Sequence, residues 1–142
     1  MLVRLLYASR AAGSVTPESL LPIMKTSRAN NAAQGITGVL IFSDGVFLQL
    51  LEGGREAVSA LYNRIIRDER HRDVVLLSYD EIGERRFAGW AMGQANLSRL
   101  NPGILLKYSD RSVLDPYNMS VKATLALFDE LVATAVIACP GQ

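Results

Sequence analysis

The segment DGVFLQLLEG, residues 44 to 53, sets an amide, Gln49, among Phe47, Leu48, Leu50 and Leu51. A buried Gln brings two N–H donors and a carbonyl acceptor. Each group left unpaired in an apolar interior costs about 1–3 kcal/mol. Gln49 therefore either faces solvent from a strand or meets a polar partner inside. Side chains alternate along a strand, so Phe47, Gln49 and Leu51 share one face, and Tyr7 sits on an N-terminal strand with the same choice of face. Two helical stretches carry polar residues on faces that begin apolar. In the first, the stripe Leu20, Ile23, Met24 continues by steps of three and four to Ser27 and Asn31, flanked by Lys25 and Arg28. In the second, Val58, Leu61 and Ile65 lead to Asp68, with Arg64 four residues earlier and within pairing reach.

If these faces meet, Tyr7, Asn31, Gln49 and the Arg64/Asp68 pair converge between helix and sheet, bordered by Ile23 and Ile65. That set suits a flat polar heterocycle: aliphatic walls for its faces, donors and acceptors for its edge. Lys25 and Arg28 could meet an anionic tail such as a phosphate. Each group has a plainer account when taken singly. Gln49 can be solvent-facing, Asn30-Asn31 before Gly35 can be a helix C-terminus, and Arg64 with Asp68 can be a surface pair worth little. Tyr7 can be core packing with a wet hydroxyl. Only their joint placement favours a site.

The elements that must position them are legible in outline. Residues 2 to 9 alternate as a strand. Thr16-Pro17 opens a helix that runs to about Asn31. QGITGVLIFSDG and VFLQLLEG form a hairpin across Asp44-Gly45. A second helix spans about Arg55 to Asp68, and VVLLSYDEI and GWAMGQANL read as a fourth and fifth strand. The order β-α-β-β-α-β-β implies an α+β, ferredoxin-like sandwich, with both helices on one sheet face because crossovers are right-handed. Residues 1–97 are read as the ligand-binding domain and 98–142 as a C-terminal extension of two helices. NPG at 101 to 103 is expected to break the first of these. The second carries Val121, Leu125, Phe128, Leu131 or Val132, and Ala135 at helical spacing.

Composition narrows the classes. The chain has 142 residues, 49% of them hydrophobic, enough for one packed domain. A formal charge of +1 supplies no field for nucleic acid or an anionic membrane. A single cysteine, Cys139, excludes a disulfide framework or a cysteine zinc cluster within one chain. MLVRLLYASR lacks a signal peptide's continuous apolar core, and Lys122, Asp129 and Glu130 interrupt the apolar run 121–138. The expectation is a cytoplasmic protein.

Several spaced motifs, in order, carry a resemblance to a known family. They are Tyr7 with Ser9, NN before GITG at 35 to 38, FLQLLEG at 47 to 53, RIIRDERH at 64 to 71, and FAGWAM at 87 to 92. From about Leu2 to Gln94 the chain resembles the BLUF domains, blue-light sensors that use flavin. LLKYSD at 105 to 110 resembles the tail of the short, stand-alone PixD-like subfamily, and no cyclase, phosphodiesterase or DNA-binding segment is seen after it.

The resemblance implies a noncovalent flavin, FAD or FMN, sandwiched by Ile23 and Ile65. Asn31 would bond its carbonyl and ring N–H edge, and Arg64 and Asp68 would lie near the ring edge and ribityl chain. Lys25, Arg28 and Asn30 are candidates for the ribityl and phosphate part. It further implies that Tyr7 gives an electron and a proton under blue light and that the Gln49 amide then rearranges. Trp90 and Met92, two apart and so expected to share a face, would carry the change to the C-terminal helices. His71 is read as structural and Cys139 as incidental.

Rival readings are an RNA-binding sheet, disfavoured by charge, and an acylphosphatase-like enzyme, for which no nucleophile with an adjacent base is visible. A flavin- or ligand-binding module without photochemistry is a third. No catalytic activity is expected. Output would pass through homo-oligomers, ring-like in the subfamily, and a response-regulator-like partner. The tail helix appears in this reading as an apolar surface left for assembly.

Overall fold

The computed structural model describes residues 1–13, 15–96 and 102–134. The elements are β1 (Leu2–Ala11), α1 (Pro17–Ala33), β2 (Thr37–Ser43), β3 (Val46–Gly54), α2 (Arg55–Arg67), β4 (His71–Ile82), β5 (Gly93–Asn96), α3 (Pro102–Tyr108) and α4 (Val121–Ala133). They form a five-stranded sheet in the order β4-β1-β3-β2-β5. β3 is antiparallel to both β1 and β2, so β1 and β2 run the same way with β3 between them. This is the expected ferredoxin-like arrangement. β5 is added parallel to β2 at one edge.

Local chemistry accounts for the boundaries near the site. Thr16 caps α1 by accepting from Ser19 N–H at 3.1 Å, while Ser19 Oγ accepts from Thr16 N–H at 2.9 Å. Asp44 and Gly45 both take positive φ, 47° and 77°, which closes the β2–β3 hairpin with the twist its strands need. At Gly38 a Cβ would come within 2.0 Å of the Leu50 carbonyl oxygen, so only glycine lets β2 lie this close to β3.

The sheet separates two cores. On one face α1 and α2 bring Met24 and Val58 against Val3, Leu5, Tyr7, Leu40 and Leu51. On the other, α3 and α4 bring Leu105, Leu127, Phe128 and Leu131 against Leu6, Ala8, Ile41, Leu48 and Leu50. Among the described residues no helix is long and apolar enough to cross a membrane.

Four expectations change. The fifth strand is only Gly93–Asn96, so Trp90 and Met92 precede it. Alternation does not apply there: Met92 joins the α1/α2 core and Trp90 packs on the α3/α4 core, on opposite faces. Pro102 begins α3 rather than breaking it, since proline suits the first turn. Much of the apolar face of α4 is consumed within the chain, with Leu127, Phe128 and Leu131 at 0% exposure, while Leu125 and Val132 are only partly buried. Ala135, Cys139 and the 97/98 boundary lie outside the described residues.

Candidate functional site

A cavity of about 270 Å³ opens between the sheet and helices α1 and α2. It arises where the inner stripe of α1 turns from apolar to short polar side chains, leaving space that larger residues would have filled. α1 contributes Ile23, Ser27 and Asn31, and α2 contributes Ile65 and Arg64. The strands supply Tyr7, Leu40, Phe47 and Gln49, while Asp68, Arg70 and His71 close the end beyond α2.

Gln49 is buried, and both ends of its amide have partners. Tyr7 Oη donates to Gln49 Oε1, and Gln49 Nε2 donates to the Met92 sulfur at 3.3 Å. The strand register sets the first contact, because Tyr7 and Gln49 are directly opposed across β1 and β3. Complete burial of Tyr7 drives its hydroxyl pKa far above the usual phenol range, helped by Tyr62 and the Asp68 charge. The phenol is therefore protonated near neutral pH. The thioether is a weak acceptor, so the Gln49–Met92 link is the softer end of this chain.

The cavity also has polar groups without protein partners. Asn31, 3% exposed, forms no side-chain hydrogen bond among the described residues, and Arg64 forms no ion pair there. Nearby on α1, Arg28 Nη1 is buried without a partner. The buried Arg28 nitrogen is costly to leave unpaired, whereas the Arg64 guanidinium is exposed and solvated. Two aliphatic walls, an amide edge and unspent guanidinium donors fit a heteroaromatic ring with a polar or anionic tail.

The Asp68 carboxylate does not pair with Arg64. α2 ends at Arg67, and the extended backbone of Asp68 swings its side chain off the helical stripe. Arg70 takes it instead, through Nε at 3.0 Å and a backbone N–H at 2.9 Å. These bonds, chiefly the Arg70 side chain, lower the Asp68 pKa to about 2. His71 Nδ1 lies 2.7 Å from Ser9 Oγ, and its ring is 5.0 Å from that of Phe47. Burial lowers the His71 pKa against the opposing pull of Asp68, so the ring is neutral near pH 7. This is a hydroxyl beside an imidazole that sequence reasoning did not find. Ser9 is fully buried and does not line the cavity, so its hydroxyl orients the ring.

The structure therefore brings together Tyr7, Ile23, Asn31, Gln49, Arg64, Ile65 and Asp68, with Met92 in contact through Gln49. Lys25 and Asn30 are exposed on α1 and, with Arg28, do not line the cavity. Trp90 lies on the far side of the sheet. Arg70 and His71 were passed over as site residues, although DERH, with charges and an imidazole just past a helix end, was a usable signal.

Comparison with known proteins bears on the family and the fold. A family profile described as BLUF, sensors of blue light using FAD, matches residues 2–93. Photoactivated adenylate cyclase subunit beta of Euglena longa is 39% identical over 95 residues, 66% of this chain but 11% of that protein. The chain thus spans about a tenth of the length of that relative. Among solved structures, the photo-activated state of BlsA superposes with a TM-score of 0.83 at 29% identity, covering 93% of this chain and 95% of that one. The dark state of BlrB, a BLUF protein, gives 0.76 at 28% identity, covering 94% and 96%.

Proposed function

The chain belongs to the BLUF family of blue-light flavin sensors, and on that premise we propose that it is a non-enzymatic, cytoplasmic photoreceptor holding FAD, noncovalently, in the α1/α2 cavity. The observation that carries this reading is the Tyr7–Gln49–Met92 chain at the cavity wall. Ile23 and Ile65 would clasp the ring, and Asn31 would meet its polar edge. Arg64 would serve the ring edge and ribityl chain, with Asp68 held in place by Arg70. Lys25, Arg28 and Asn30 would serve the phosphate end beyond the cavity mouth. The bound flavin supplies blue-light absorption and an acceptor for one electron and one proton.

The protein's own part is to deliver these and then keep the change. Tyr7 is the donor, and the one side-chain partner of its hydroxyl among the described residues is Gln49. When the Tyr7 proton leaves, Gln49 Oε1 loses its donor and the amide is free to reorganise before the electron and the proton return to Tyr7. Its two ends differ in kind, one accepting and one donating. Reversal therefore exchanges the pattern offered to the cavity at little steric cost, and the Met92 contact breaks. The change reaches Trp90 and the α3/α4 layer through the short segment before β5.

A partner protein, of response-regulator type and in a homo-oligomeric assembly, would read that layer. Leu106 and Val113, at 54% and 47% exposure, remain on its surface for such contact. The experiment is an absorption spectrum of the FAD-loaded protein in the dark and directly after blue light. A small red shift that recovers in the dark is expected. A flavin spectrum with no shift would leave a binding module and remove the switch.

A further inference from the structure

Glu52, near the end of β3, is at 0% exposure on the α3/α4 side of the sheet. Its carboxylate accepts from Arg4 Nε and Nη2, both at 2.9 Å. It also accepts from the backbone N–H of Arg86 at 3.0 Å and of Phe87 at 2.8 Å. Arg85 Nη1 adds a bond to Thr37 Oγ1 at 3.1 Å. A buried carboxylate is tolerated only when so paired. Here two of its partners are backbone groups of the β4–β5 connection, which no regular sheet ladder would otherwise hold.

That anchor lies at one end of a short span. At the other end Gly38 N–H donates to the Trp90 carbonyl at 2.9 Å, and Gly93 pairs with Val39. Met92 points to the cavity face and Trp90 to the α3/α4 face. The Glu52 end also touches α4: Arg86 reaches Asp129 at 3.3 Å, and the Phe87 and Phe128 rings lie 6.3 Å apart. Between Phe87 and Gly93, both held, the span sets Trp90 on one face and Met92 on the other, so the two are joined through a short stretch of backbone.

We propose that Glu52 is a positioning residue for the light response, anchoring the β4–β5 connection so that release of Met92 by Gln49 displaces Trp90 against α3 and α4. This rests on the photoswitch reading above. A purely structural Glu52 would affect stability and leave the coupling intact.

Trp90 is the single tryptophan of the sequence, so full-length protein labelled with 5-fluorotryptophan gives one ¹⁹F resonance. FAD-loaded wild type should show the absorption red shift and a light-induced displacement of that resonance. Glu52→Gln should keep the red shift and lose the displacement. A Glu52→Gln protein whose resonance moves as in wild type overturns the proposal. A wild type that shifts in absorption without moving its resonance also overturns it, while leaving the photoswitch standing. A wild type without a red shift removes both.

If Glu52→Gln does not fold, Arg86→Pro and Arg86→Ala replace it. Both lose the Asp129 pair, but only proline lacks the N–H that Glu52 holds. The alanine variant should keep the displacement and the proline variant should lose it, and equal behaviour of the two counts against Glu52.

Discussion

On one side of the sheet Leu48, Leu50 and Ile41 meet Leu127, Phe128 and Leu131 in a buried apolar core. On the other, the intervening residues of the same strands meet Ile23, Ser27 and Asn31, and a cavity remains. The strands are common to both, so the difference comes from the helices. α4 presents large apolar residues along its buried face. α1 begins that way and then presents an alcohol and an amide. The apolar side gives the sheet its stability, and the open side uses that rigid wall to hold Tyr7 and Gln49 in register. The site proposed to rearrange thus sits one strand thickness from a close-packed core.

Variants at the two faces should separate these roles. The largest effect belongs to the open side: Gln49→Leu, and equally Tyr7→Phe, should abolish the light-induced red shift while FAD still binds, read by difference absorption. Retention of the shift in either would break the assignment of the open face as the switch. Next, Phe128→Ala on the apolar side should cost about 3–5 kcal/mol in denaturant unfolding, because it empties a fully buried ring site. The flavin absorption of the folded fraction should be unchanged.

A smaller loss, about 1 kcal/mol, is expected for Thr16→Ala, which removes the α1 cap. Since α1 forms one wall of the cavity, FAD should protect this variant less than wild type in thermal unfolding. Equal protection would indicate that α1 is held by packing alone.

The smallest effect is a pH dependence at the open side. The folded-state pKa of His71 is below its ordinary 6.5, so the unfolded chain binds the proton first. The contribution of His71 is full above 6.5 and falls as pH drops below it. Asp68 acts lower: its stabilisation is present above 3.8 and is lost as pH falls toward about 2. The thermal midpoint should therefore decline in the first window for wild type, and His71→Phe should flatten that decline. An unchanged slope in the variant would assign the effect elsewhere.

Much of this was written in local pattern. Thr16-Pro17, Asp44-Gly45 and the alternation through Phe47, Gln49 and Leu51 each act over a few residues, so they marked the elements and the face of Gln49. The polar ends of the helical stripes likewise announced a cavity, and Asn31, Ile23, Arg64 and Ile65 do line it. Where a reading failed, the rule used had stopped applying. Asp68 left the helical stripe because α2 ended one residue sooner, and Arg70, two residues on, captured its carboxylate. Trp90 and Met92 were assigned one face by a strand period that begins only at Gly93.

The sequence by itself determined the order of elements, the sheet they form and the residue types available to a ligand. Periodicity and caps are properties of neighbouring residues and need no knowledge of the rest of the chain. Tertiary structure alone decided that α3 and α4 cover the far face of the sheet, that Gln49 bridges Tyr7 and Met92, and that Glu52 holds the β4–β5 connection. Each of those joins residues more than thirty positions apart, and such a contact exists only once packing has brought the strands into register.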